Sequence, residues 1–480
     1  MKKLIILSIL CLCTGAVFGQ KGDSKVTLEI TSIKPDSIWV ADYGDAFTVK
    51  PDKDNKYVLH FKHDKPLKVR VGFDKPEKRS MTLYLEQGDQ QNIVTDFDKN
   101  NSFSGKGAEN TRVLNECNRA YALAYEKKGK EVGDKILSPA DAFKTYYELG
   151  QLKLNTLEAN RQKVSKTFYD YCYISFLCEK LGLPILIPGF YVRPEKKLSE
   201  CIPDSYWGLE KDIRIDDRFA ANPDYAKFMT NIFPVFLSNR EKFKLGSLDK
   251  PSSPDAELKL KIALVEKIYP EKLKRTALFG MVNAAVGSSK ELALIKPVMD
   301  DYIAKYATEA QAKELRANYL KVNKLSVGKT PPAFVLKDMD GKDVTLKDFA
   351  GKVIYMDFWA SWCSPCRYEM KNGSPKLHEK FKDNKEVVFL YVSIDSKADA
   401  WRKAIAEDNI QGIHLLSLGG NASPVAKAFN ISGIPHYVII GKDGKIFDNN
   451  APRPSQDITQ AKINEALNAP DQRNSILNKN

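Results

Sequence analysis

The sequence predicts a multidomain chain with a small all-β part, an all-α middle part and an α/β part whose strands are joined by crossover helices. Three observations carry that prediction. Between 25 and 105 apolar and polar residues alternate in short runs, the period of a strand with one buried face. From 110 to 322 apolar residues recur at three-to-four spacing, the period of a helix. Beyond the break at Gly328, Pro331 and Pro332, strand and helix patterns alternate, as they do where crossover helices connect a sheet. A chain of 480 residues has room for about three domains. The expected boundaries are a leader at 1–19, the three parts at 20–108, 109–325 and 326–470, and a polar tail at 471–480.

Composition excludes several classes. Hydrophobic residues at 43% and aromatic residues at 10% exclude a wholly disordered chain. Neither 27 glycines nor 8 cysteines in this length fits a collagen or a disulfide-dense mini-protein. A long apolar run occurs only at the extreme N-terminus, which excludes a multi-span membrane protein. The net charge of +13 is dispersed and weighted towards the middle part. No segment has the dense Lys/Arg stripe of a nucleic-acid site, so no nucleic-acid partner is expected.

The leader comes first. Lys2 and Lys3 precede an apolar run from Leu4 to Phe18, and Val17 and Gly19 are small enough for the recognition positions of a cleavage site before Gln20. The run is shorter than the roughly 20 residues of a membrane span. An exported protein, periplasmic and soluble after cleavage, is therefore expected ahead of an uncleaved anchor. Leu10 before Cys11 and Leu12 before Cys13 are too large for a lipid-bearing cysteine. The six remaining cysteines would meet oxidising conditions, where disulfides are permitted.

In the first folded part, strands are expected at 26–30, 38–40, 57–61, 69–71 and 81–85, separated by Asp, Lys, Pro and Gly. They read as a small antiparallel sandwich or barrel. His60 and His63 have no Cys or carboxylate cluster at ligand spacing and are assigned to the strand surface, with no metal expected.

In the middle part, helices are expected over 140–164, 222–245, 255–287, 288–304 and 308–323. The run from Phe168 to Cys178 is apolar on more than one side and should be buried. Pro184, Pro188, Pro194 and Pro203 predict a loop region after it. Cys172 and Cys178 are spaced so that one helix points them apart, which excludes a bond between them. Buried unpaired thiols are favoured for Cys117, Cys172, Cys178 and Cys201, with a structural bridge as the alternative.

In the last part, strands are expected at 333–336, 344–346, 353–359, 387–394 and 437–440. Helices should begin near Cys363 and cover 397–408, 423–429 and 458–467, with a turn at 442–444. His378 and His414 are expected at the surface.

Cys363 and Cys366, with Ser364 and Pro365 between them, stand where the buried strand 353–359 gives way to a helix. Free backbone N–H groups and the helix dipole there stabilise a thiolate at Cys363. Cys366, one turn inside, is placed to attack a mixed disulfide formed at Cys363. Pro365 fits the first turn, where its missing N–H costs little. The spacing is also half of a zinc site, but no second pair at ligand spacing accompanies it. A peroxidatic cysteine would stand alone in a different turn. A structural disulfide does not suit so short a loop. With the flanking Trp and Asp residues, the pair reads as a dithiol that cycles to a disulfide and needs no other cofactor.

The stretch Phe358, Trp359, Ala360, Ser361, Trp362, Cys363, Ser364, Pro365, Cys366 resembles the active-site segment of the thioredoxin superfamily. The segments 328–336 and 341–346 resemble, more narrowly, its TlpA/ResA branch of exported thiol–disulfide oxidoreductases. The likeness covers 326–468, and it implies a thioredoxin-like fold with a central mixed sheet there. It implies that Cys363 is the attacking thiol and Cys366 the resolving one, with Trp362 beside the disulfide and Trp359 in the supporting layer. Asp357 would help to take the resolving thiol's proton. In Gly433, Ile434, Pro435, His436, the proline would be the family's cis-proline facing the cysteines, and Ile434 would offer its backbone to a substrate segment. Two departures stand out. Tyr391 occupies the position near Asp357 where thioredoxins carry a lysine, and Asp395 at that strand's end is the alternative acid. His436 replaces the usual threonine, either tuning the thiolate or packing at the rim.

Oxidants and isomerases of this superfamily tend to carry His before the second cysteine, which stabilises the reduced form. Pro365 there implies a potential nearer about −270 mV than about −120 mV. The resemblance thus implies a reductase of disulfides in exported client proteins, with apocytochrome c thiols one target, recharged by a membrane-embedded thiol electron donor. The alternative is a partner-binding protein in which the β and helical parts dominate and the redox module is secondary.

Overall fold

A computed structural model of the chain describes residues 23–41, 46–74, 78–132, 136–289 and 291–469. The leader expected at 1–19 and the tail at 471–480 lie outside them. Among the described residues, the alternating runs fold into β1 (Asp23–Ile30), β2 (Ile38–Ala41), β3 (Ala46–Val49), β4 (Lys56–Lys62), β5 (Leu67–Phe73), β6 (Arg79–Leu85), β7 (Gln90–Thr95) and β8 (Asn101–Lys106). Two sheets result, ordered β4-β1-β7-β8 and β3-β2-β5-β6. Every second side chain points inward, so Val26 and Leu28 of one sheet share a core with Val40, Val69, Val71 and Leu83 of the other. The expected antiparallel arrangement needs one correction. β1 and β7 run parallel, with Lys25 opposite Gln90 and Ile30 opposite Thr95. Alternation specifies which face is buried and carries no information on the direction of a neighbour. Nor did it reveal β3, whose residues are largely exposed, β7, which turns Gln91 and Thr95 inward, or β8, which carries Asn, Ser, Gly and Lys.

The helical segment forms α1 (Ala108–Val132), α2 (Pro139–Ala159), α3 (Lys166–Phe190), α4 (Leu198–Cys201), α5 (Pro223–Asn231), α6 (Phe233–Lys244), α7 (Pro254–Ile268), α8 (Glu271–Ser288), α9 (Leu292–Lys305) and α10 (Glu309–Asn323). Ser138 and Ser165 cap α2 and α3 through their hydroxyls. The loop expected at Pro184 and Pro188 is instead helical, because α3 runs through both prolines. Each ring removes a helical hydrogen bond. Burial of Phe176, Leu177, Leu181, Ile185 and Ile187 along the same helix outweighs that loss. By length and composition α3 is apolar enough to cross a membrane, and 67% of its most apolar stretch is buried within the fold. Cys117, Cys172, Cys178 and Cys201 are buried and unpaired. Burial pushes the Cys117 thiol up to about 12 and raises Cys172 and Cys178 as well, so these thiols are inert.

By its internal packing the chain divides into two units. One reaches to Pro251 and includes Leu264–Ala277, and the other comprises Ser252–Ala263 and the described residues from Leu278 onward. The second unit holds the α/β part: β9 (Leu336–Lys337), β10 (Asp343–Val344), β11 (Val353–Trp359), α11 (Ser364–Asn372), α12 (Ser374–Phe381), β12 (Val387–Ser393), α13 (Ala398–Asp408), β13 (Ile413–Leu416), α14 (Pro424–Ala428), β14 (His436–Ile440), β15 (Ile446–Asp448) and α15 (Ile458–Asn468). The sheet is ordered β10-β9-β13-β12-β11-β14-β15. It is mixed, as expected, with β11, β12 and β13 parallel and β14 antiparallel to β11. All seven residues of β11 are buried. Ile354, Met356 and Phe358 enter one core, and Val353 and Tyr355 enter another on the opposite face.

Two surface assignments fail here. His414 is buried on β13, where its Nε2 donates to the Ile410 carbonyl at 2.9 Å. His378 is half-buried on α12 with its ring centroid 4.0 Å from that of Phe389, and burial pushes it down to about 4. An imidazole packs as an aromatic ring once its N–H groups find partners, which composition alone does not reveal.

Candidate active site

The sequence Trp362, Cys363, Ser364, Pro365, Cys366 folds as a loop entering α11, and Cys363 is the N-cap residue. Pro365 lies in the first turn, where an N–H would have no helical partner. The Cys363 Sγ accepts the Cys366 backbone N–H at 3.2 Å. The two cysteines are joined as a disulfide, with Cα atoms 5.3 Å apart. Cys366 is fully buried, Cys363 is 5% exposed, and Trp362 beside them is 57% exposed. The reactive edge thus reaches solvent at Cys363 and is flanked by an uncovered indole.

Trp359, at the end of β11, is fully buried and shares an apolar cluster with Cys363, Cys366 and Tyr391, against which Ile434 packs. The Ile434–Pro435 peptide bond is cis. His436 follows on β14 opposite Phe358, and its Nε2 donates to the Asn449 carbonyl at 2.7 Å. Burial lowers its proton affinity.

Asp357 is fully buried, and neither carboxylate oxygen has a hydrogen-bond partner. Desolvation raises its affinity for a proton well above the usual carboxylate range, and the charge of Glu369 adds to that. Tyr391 stands opposite it on β12 and Tyr437 on β14, while Tyr355 precedes it on the same face of β11. The Tyr391 hydroxyl lies 3.0 Å from His378 Nε2, and that of Tyr355 donates to the Pro452 carbonyl at 2.7 Å. Both hydroxyls are committed away from the carboxylate.

Asp395, the other candidate acid, has a different environment. Its carboxylate accepts the Ser361 N–H at 2.8 Å, the Ser361 hydroxyl at 2.7 Å and the Ser393 hydroxyl at 2.8 Å. It ties the loop before Trp362 to the end of β12. Arg367, on the outer side of α11, forks onto Asp408 and reaches Glu407 at the end of α13.

Glu369 is a site residue that the sequence reading missed. It is 3% exposed on α11 and faces inward one turn beyond Cys366. Its three-residue spacing from Cys366, which puts both side chains on one face of the helix, was the available signal. Among the described residues, no cluster of three or more His, Cys, Asp and Glu side chains is placed to hold a metal ion. The redox-capable group of the site is the cysteine pair itself.

Residues 326–467 match the Redoxin family model. Over 128 residues the chain is 31% identical to the thiol-disulfide oxidoreductase ResA of Bacillus thuringiensis subsp. konkukian, a span of 27% of this chain and 71% of that relative. Over 123 residues it is 32% identical to the thioredoxin-like protein YneN of Bacillus subtilis, covering 25% of this chain and 69% of that one. A solved structure, the thioredoxin domain of a thiol-disulfide oxidoreductase from Bacteroides vulgatus, is 32% identical, with 30% of this chain and 99% of that one covered and a TM-score of 0.27.

Proposed function

We infer that Cys363 and Cys366 act as a protein-disulfide reductase, on the premise that the chain belongs, through residues 326–467, to the ResA-like thiol–disulfide oxidoreductases of the thioredoxin superfamily. The observation that carries the reading is the position of Cys363 at the N-cap of α11, where its sulfur accepts a backbone N–H within bonding reach of Cys366. A helix N-terminus stabilises the attacking thiolate.

In the reduced protein, the Cys363 thiolate attacks a client disulfide. A Cys363–client bond forms, and the other client sulfur leaves as a thiolate. Cys366 then gives its proton to the Asp357 carboxylate and attacks the Cys363 sulfur. The Cys363–Cys366 bond forms, the mixed disulfide breaks, and the second client thiolate is released. The client gains two electrons, and a membrane-embedded thiol donor restores the dithiol. A carboxyl with raised proton affinity suits the middle step, because a base works best with a pKa near the operating pH. Pro365 leaves the thiolate less stabilised than a histidine would, which favours the reducing direction. Trp362 supplies apolar contact to the client, and the Ile434 backbone beside Pro435 receives its extended segment. Trp359 and Asp395 support the loop, Asp395 through Ser361 rather than as the proton acceptor. His436, held by Asn449, packs at the rim.

The rest of the chain completes the reading. Residues 1–19 direct export and are removed before Gln20, leaving a soluble periplasmic protein. The segments 20–108 and 109–325 are accessory domains to the redox domain at 326–470, and no cofactor beyond the disulfide is required. Expression of Cys366→Ala in the producing cell tests this in one experiment. Mixed disulfides through Cys363 should accumulate, with exported proteins as the captured partners and Gln20 as the first residue of the trapped chain. An empty trap would refute the reductase. Cytoplasmic partners would refute export, and an intact leader would refute cleavage before Gln20.

A further inference from the structure

Glu369 is a buried charge, and its surroundings are specific. Its Oε2 accepts the Ser455 backbone N–H at 3.0 Å, and its Oε1 accepts the Ser455 hydroxyl at 2.9 Å. The Arg453 guanidinium lies 4.0 Å from Oε1. Ser455 belongs to the segment between β15 and α15, which is tied down a second time where Pro452 accepts the Tyr355 hydroxyl. At the junction of α11 and α12, a Cβ on Gly373 would stand 2.6 Å from the Ser455 nitrogen and 2.7 Å from Glu369 Oε2. Only glycine lets this segment close onto the helix.

We propose that Ser455 is a positioning residue of the redox centre, fixing the Glu369 carboxylate one turn beyond Cys366 so that its charge faces Asp357. The two carboxylates then have opposite surroundings. Glu369 receives two donors from Ser455 and lies near a guanidinium, whereas Asp357 receives none. Asp357 faces Tyr355 on its own strand, Tyr391 on β12, Tyr437 on β14 and Glu369 on α11. The charge of Glu369 adds to the desolvation of Asp357, and both favour its protonated form. Ser455 acts on the proton transfer from Cys366 without touching either sulfur. The proposal rests on Asp357 serving as base in the reductase reading.

The test uses the full-length reduced chain and Ellman's reagent, followed by stopped flow. The first thionitrobenzoate is released by attack of Cys363, and the second by attack of Cys366 on the mixed disulfide. The second phase should accelerate with pH as Asp357 ionises. In Ser455→Ala its midpoint should fall by about half a pH unit or more, roughly a threefold loss of proton affinity. Glu369→Gln should move it in the same direction, and Ser455→Thr should restore it. A midpoint unmoved in Ser455→Ala, or a slower second phase with the wild-type midpoint, would overturn the proposal. A midpoint unmoved in Glu369→Gln would overturn it too, and settles the question if Ser455→Ala fails to fold. A wild-type chain without a second phase would refute the reductase reading instead.

Discussion

Asp357 and Asp395 stand near the ends of neighbouring strands and are both buried, yet their surroundings differ in kind. Asp395 accepts three hydrogen bonds from Ser361 and Ser393, as a carboxylate that stays in place should. Asp357 accepts none and is walled by tyrosine rings whose hydroxyls at 355 and 391 are committed elsewhere. Its folded proton affinity is raised by desolvation first and by Glu369 second. In the unfolded chain an aspartate ionises near 3.9. The folded state therefore holds the proton more tightly, which adds stability at low pH that is lost as pH rises through the raised folded value. Asp357→Asn removes that loss. Its urea midpoint should exceed that of the wild type at pH 8 and match it near pH 4, while resolution of the mixed disulfide slows by about a hundredfold. A variant less stable at pH 8 would contradict this account of the site. Asp357 and both cysteines were legible in the sequence because they sit together in one motif. Glu369 was not singled out, because its partner lies 86 residues away at Ser455.

At the scale of elements, α11 is held at three places. Its entry loop is pinned by Asp395, its outer side by the Arg367–Asp408 fork, and its end by Glu369 and Ser455. A redox pair that exchanges a covalent bond with a client benefits from a helix that does not move. Elsewhere α2 and α3 cross at Gly150, where an added Cβ would lie 2.4 Å from the Cα of Lys180. The helices approach backbone to backbone, with the Lys180 ammonium bonded to Asp212 at 2.7 Å and lying over the Tyr147 ring. Gly150→Val should destabilise the protein by about 3 kcal/mol, measured by urea unfolding. An unchanged midpoint would mean that the crossing is looser than its geometry. Long apolar helices were visible as period, but the continuation of α3 through Pro184 and Pro188 was not. Local propensity predicts a break there, and only the burial of the surrounding apolar side chains overrides it.

Across the whole molecule, three histidines of the α/β part bear on acid stability. Burial lowers the proton affinity of His378, His414 and His436, with His378 down to about 4. An unfolded histidine takes a proton near 6.5, so the unfolded chain binds protons first as pH falls, and stability is lost between about 6.5 and 4. After allowance for its partial exposure, His378 accounts for about 2 kcal/mol of that loss. His378→Phe keeps the ring contact with Phe389 and should flatten the fall in thermal midpoint over this range. Equal slopes in variant and wild type would exclude His378 as a source of it.

The sequence by itself determined the things that local order encodes. Periods of two and of three to four residues assigned the β and α segments, alternation of the two assigned an α/β part with crossover connections, and the Cys363–Cys366 spacing at a strand-to-helix turn assigned the chemistry. Tertiary structure alone decided the parallel pairing of β1 with β7, the burial of His414 and half-burial of His378, the unpaired state of the four helical cysteines, and the roles open to Asp395 and Glu369. Each of these depends on which distant groups come into contact. Periodicity records only whether a residue faces inward, and the partner it meets there is fixed by the packing of the chain.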